Sequence, residues 1–127
     1  MENLFETISA SIFIILSIVH IWYGEKNQVR SLKKVTNDPL LIGSFRVMSV
    51  QGGAILFALG IFHILNVIGL ITVVGITVYV PLVIILIDLL SFISIAIFKH
   101  RKLLSITLPQ LLIFSTLIIL EYLIIMN

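Results

Sequence analysis

Long apolar runs, broken by a few short polar intervals, dominate the chain. The first gives way across SIVHIWYGEKNQVRSLKKV, residues 17–35, to a His, two aromatics, a Gly-Glu pair and then a cluster of positive charge. This is how a membrane span leaves the lipid, because apolar side chains fill the hydrocarbon and aromatic and cationic ones meet the headgroups. Four runs reach the ~20 residues that a ~30 Å hydrocarbon core requires. They predict spans over about residues 4–23, 41–64, 70–98 and 103–125. The connections are short, so neighbouring spans are antiparallel. The pattern predicts an all-α integral membrane four-helix bundle, with residues 1–127 forming a single transmembrane domain. The third run is the ambiguous one. As one helix, residues 67–98 would extend about 48 Å and need an unusually large tilt. Asn66 and Gly69 suit a turn, and Pro81 either opens the true helix after an irregular stretch or kinks a longer one. The expectation is a turn near residues 66–69 followed by a kinked helix.

Composition agrees with this class. Hydrophobic residues make up 60% and charged residues 11%, against about 45–50% and 25% in soluble domains; the mean hydropathy is +1.24. With no Cys, disulfides, thiolate metal sites and cysteine nucleophiles are excluded from these residues. The first run opens on Met1-Glu2-Asn3 and shows no basic leader or small-residue cleavage site, so it reads as a mature helix and not as a signal peptide.

Charge supplies an orientation. All 8 Lys and Arg residues fall on one side of the predicted spans. Lys26, Arg30, Lys33, Lys34 and Arg46 surround the first connection, and Lys99, Arg101 and Lys102 occupy the third. The positive-inside rule therefore places residues 24–40 and 99–102 in the cytoplasm, with both termini outside the cell membrane. Trp22 and Tyr23 form the cytoplasmic aromatic belt, and Tyr122 anchors the outer face. The cluster Lys26, Arg30, Lys33 and Lys34 sets this topology; its sharper reading is contact with anionic lipid headgroups or a partner's acidic surface. Without interleaved aromatics the segment offers nothing for nucleic acid.

Ionisable groups inside lipid are costly, so they mark the candidate chemistry. Counting about 1.5 Å per residue from the cytoplasmic ends, His20 lies about 5 Å deep, Arg46 about 8 Å, Gln110 about 10 Å, and Gln51 and Asp88 about 15 Å. His63 and Glu121 belong to the outer ends. One reading is a cytoplasm-facing pocket in which Asp88 meets Gln51 or Arg46, with Gln110 and His20 near its mouth. The plainer reading is that these residues stitch helices together by hydrogen bonds. His20 and His63, about 25 Å apart in depth, are too distant to ligate one haem iron. Within the second span, Arg46, Ser49, Gly53, Gly60 and His63 share an arc of about 100°, while Gln51, Ala54 and Ala58 lie on another face. Ser49-x3-Gly53 and Ala54-x3-Ala58 would allow two close helix approaches. Asp88, Ser91 and Pro81 share a face of the third span, as Gln110 and Glu121 do in the fourth. No hydrolase, kinase or metalloprotease motif occurs, His20 and Glu25 are poorly spaced for a metal, and His100 is a loop residue. Neither catalytic nor metal-ligating residues are assigned, and no cofactor is expected.

The residues His20-x3-Gly24-Glu25, Arg46 with Ser49–Gly53, and Pro109-Gln110 together resemble a group of small prokaryotic four-helix membrane proteins. That group has an H-x3-G-E exit from helix 1, an Arg in helix 2 and a Pro-Gln in helix 4. A Trp-His pair follows the Arg in the group, whereas Val50-Gln51 stands here. The resemblance implies the four-helix architecture and carries no activity. The functional expectation is a non-catalytic membrane subunit within a larger assembly, such as a respiratory or other membrane-enzyme complex, with the lipid bilayer and other subunits or its own copies as partners. The alternative is a small oligomeric proton or cation transporter using Asp88, and the third reading is a haem- or quinone-binding subunit.

Overall fold

The computed structural model describes residues 2–98 and 108–126, and among these it is all-helical, with no strand. Helix α1 spans Glu2–Tyr23, a π-helical turn Gly24–Val29 continues it, and the short α2, Arg30–Leu32, closes the arm. Helix α3 spans Pro39–Val67, a 3-10 turn covers Gly75–Tyr79, α4 spans Val80–Phe98 and α5 spans Leu108–Met126. Four helical stretches are long and apolar enough to cross a membrane: Asn3–Leu32, Pro39–Val67, Gly75–Phe98 and Leu108–Met126. The chain thus has the makeup of a multi-pass membrane protein. The expected connection at residues 99–102, with Lys99, Arg101 and Lys102, and the expected start of the last span at 103 lie outside the described residues.

Two expectations require correction. The first connection is not a loop over residues 24–40, because helix persists to Leu32 and only residues 33–38 are non-helical. Its Glu, Lys, Gln, Arg and Leu residues are good helix formers, and no Pro interrupts them. Asp38 then starts α3: its Oδ1 accepts the Leu40 N–H at 2.9 Å, and Pro39 occupies the first helical position. Nor does the third span begin at residue 70 with a kink at Pro81. Pro81 sits in the first turn of α4, where its missing N–H forfeits no helical bond. Gly69 and Gly75 turn the chain ahead of it with φ of 74° and 62°, in the left-handed region that favours glycine. Thr77 steadies that turn, its hydroxyl donating to the Val74 carbonyl at 2.7 Å and accepting the Val74 N–H at 3.1 Å.

The helices form two compact units, Ala10–Leu65 and Met1–Ser9 with Asn66–Asn127. In the first, α1 and α3 run antiparallel: Gly24 faces Ser49, Ser17 faces Gly53, and Ala10 faces Gly60. Phe13, Leu16, Val29, Leu56 and Leu59 are buried. In the second, α4 lies against α5, and Ile85, Ala96, Phe114 and Leu117 are buried.

Candidate functional site

The polar groups of the unit Ala10–Leu65 line the seam between α1 and α3. Small residues let the two backbones approach closely. A Cβ added at Gly60 would lie 2.7 Å from Ile14 Cγ1 and 3.1 Å from the Ala10 carbonyl oxygen, and one at Gly53 would lie 3.2 Å from the Ser17 carbonyl oxygen. Through that gap the Ser17 hydroxyl donates to the Gly53 carbonyl at 2.7 Å. His20 stands against Gly52, its Nε2 2.9 Å from where a Cβ would be. Ser49 is buried and its Oγ, pressed on Gly24, has no hydrogen-bond partner. At the end of the seam Arg46 holds Glu25 in a two-pronged pair, with Nε donating to Oε2 at 2.8 Å and Nη2 to Oε1. Further along, His63 is buried and stacks on Phe13, with ring centroids 5.8 Å apart and planes 13° apart, while Phe62 meets it edge-on.

The predicted arc of Arg46, Ser49, Gly53, Gly60 and His63 is therefore the face that meets α1. His63 lies beside Phe13, midway along α1. By helical rise, about 16 Å separates the levels of His63 and of Gly52, which marks His20. That is beyond the reach of two axial ligands on one iron.

A second polar group lies in the other unit, and the sequence reading saw only part of it. Glu121, placed by depth at an outer end, is completely buried, and the Ser9 hydroxyl donates to its Oε1. Three residues earlier in α1, Glu6 accepts both amide hydrogens of Asn66, at 2.8 and 3.0 Å, and Asn66 Oδ1 takes the Val73 N–H at 3.0 Å. Glu6 and Ser9 share one face of α1, so Asn66 and Glu121 meet adjacent stations of the same face. Glu6, Ser9 and Asn66 had not been singled out as a site. The available signal was depth, since the predicted spans put Glu6, Asn66 and Glu121 near the same membrane face.

Asp88, Gln51 and Gln110 are exposed, and Arg46 is engaged with Glu25. Lys26 and Arg30 are exposed on the helical arm beyond Tyr23, and Lys33 and Lys34 in the turn that follows it. Among the described residues no three His, Asp or Glu side chains come together as a metal site. These arrangements tie helix to helix. Comparison of the chain with protein-family models, with curated proteins and with solved structures finds no match.

Proposed function

We propose that this chain is a small non-catalytic subunit of the cell membrane, a four-helix bundle that assembles side by side with further transmembrane subunits, whether its own copies or members of a larger membrane-enzyme complex. In this reading both termini lie outside, and the segments 24–40 and 99–102 face the cytoplasm. The observation that carries it is the second small and polar face of α3, where Gln51, Ala54 and Ala58 are all exposed. A glutamine amide facing hydrocarbon forgoes hydrogen bonding, and Ala-x3-Ala spacing lets another helix approach closely. A neighbouring subunit satisfies both. A second reading, a small oligomeric proton or cation transporter, draws on the exposure of Asp88 halfway along α4. An ionised carboxylate in mid-membrane costs about 2.5–3.5 kcal/mol on insertion scales, so an exposed one belongs at a subunit boundary or on a water-filled path.

Purification from membranes in mild detergent tests the proposal. Stoichiometric foreign subunits or a defined homo-oligomer support it, and a solitary monomer refutes it. Ala54→Leu with Ala58→Leu should weaken the assembly. Asp88→Asn separates the readings: intact assembly with loss of ion flux in reconstituted vesicles favours transport, whereas unchanged flux, with Asp88→Leu loosening the assembly, favours the structural subunit.

A further inference from the structure

Beyond Trp22 the helical arm carries Lys26 and Arg30, four residues apart and so on one face, and the turn that follows Leu32 carries Lys33 and Lys34. All four are exposed, as is Trp22 at 55%. The acidic residues nearby are engaged elsewhere: Glu25 turns to α3 and is held by Arg46, and Asp38 caps α3 through the Leu40 N–H at 2.9 Å. Among the described residues no carboxylate forms an ion pair with any of the four cations. The stripe is one tryptophan followed by a run of positive charge, of which Lys33 also acts on the Glu25 carboxylate.

The direction of the side chains identifies what this stripe faces. Helical side chains lean toward the helix N-terminus, which on this arm means back toward the apolar span. Lys26 demonstrates the lean, since its Nζ lies 4.5 Å from the centre of the Trp22 ring, one turn earlier. By helical rise Lys26 starts about 6 Å beyond Trp22 and Arg30 about 12 Å beyond it. The headgroup layer is about 5–8 Å thick on each side of the hydrocarbon. Lys26 therefore lies within that layer, and Arg30 returns to it on its long stem. Lys33 and Lys34 sit farther out, where their field still reaches the layer at physiological salt, with a Debye length of about 8 Å.

We propose that Trp22, Lys26 and Arg30 form a binding site for the phosphate headgroup of an anionic phospholipid, with Lys33 and Lys34 concentrating such lipids around it. The indole lies at the ester level, Lys26 and Arg30 meet the phosphate, and the π-helical turn carries Glu25 to Arg46, which holds its carboxylate. An acidic soluble protein would meet cations aimed outward at the tip of the arm, whereas these lean toward the bilayer.

Trp22 is the sole tryptophan, so its fluorescence reports the site directly. The full chain is placed in phosphatidylcholine nanodiscs containing either brominated phosphatidylglycerol or brominated phosphatidylcholine, and quenching is followed against mole fraction. The anionic lipid should reach half-quenching at about a fivefold lower mole fraction, the ratio one interfacial cation supplies. Raising the salt to about 1 M, where the Debye length is about 3 Å, should shrink that ratio. The K26Q/R30Q/K33Q/K34Q variant should quench equally with both lipids, and K26R/K33R/K34R should keep the preference; circular dichroism verifies the helices of each. Equal quenching of the native chain by the two lipids overturns the proposal and leaves the stripe to an acidic protein. A preference that survives in the glutamine variant overturns it as well.

Discussion

The Ser17 hydroxyl of α1 donates to the Gly53 carbonyl of α3 at 2.7 Å, a side chain of one helix reaching the backbone of the next. This contact exists because Gly53 lacks a Cβ. A methyl there would lie 2.7 Å from Ile21 Cδ1 and 3.2 Å from the Ser17 carbonyl oxygen, and the backbone atom cannot rotate away. Gly53→Ala should destabilise the protein by about 1–3 kcal/mol, and Ser17→Ala by about 0.6 kcal/mol and at most about 1.7. The two losses should fall short of additive, because forcing the helices apart already breaks the hydrogen bond. Thermal unfolding in micelles of the two single variants and the double variant measures this.

The Glu25–Arg46 pair closes the other end of the same seam, with side chains 52% and 46% exposed. Glu25→Arg should set two guanidinium groups against each other and lower the melting temperature. The swap E25R/R46E should recover part of that loss. At high salt the gap between single and double variants should narrow, as expected for partly solvated charges.

Glu121 makes a different demand because it is wholly buried. Ser9→Ala removes a hydroxyl donor and should cost about 1 kcal/mol in the native background. In a Glu121→Leu background the same change should cost close to nothing, since the acceptor is gone. A double-mutant cycle without coupling would remove this bond from the stabilising set.

For topology, a single Cys at Asn3 or Asn127 should react with a membrane-impermeant thiol reagent in intact cells, and one at Asn27 should not. The reverse pattern overturns the proposed orientation.

The face of α3 that meets α1 could be read in advance because Ser49, Gly53, Gly60 and His63 recur at helical spacing within an otherwise apolar run. Small and polar residues stand out against Leu and Ile, and their period alone locates the contact. The matching position Ser17 of α1 could not be read so, since nothing distinguishes it until its partner Gly53 is known. The Ser9–Glu121 bond joins residues 112 apart, and no local pattern announces such a pairing. The helical arm was obscured for another reason. Charge marks where lipid ends and says nothing of where helix ends, because Lys, Glu, Gln and Arg sustain helices well in water. At Pro81 both conformations obey proline's constraints, and the glycine turns at Gly69 and Gly75 decide for the helix start.

The contacts of α1 differ in when they become possible during synthesis. The seam with α3 needs no residue beyond His63, so this hairpin can close while the rest of the chain is still being made. Glu6 waits 60 residues for Asn66, and Ser9 waits 112 for Glu121. At typical elongation rates the longer interval is roughly 6–22 s. For the later part of that interval Glu6 can already meet Asn66, while Ser9 still awaits Glu121. Synthesis of α5 is therefore the event that secures Ser9, and a nascent chain stalled before Glu121 would expose an unfinished contact to the cell's membrane proteases.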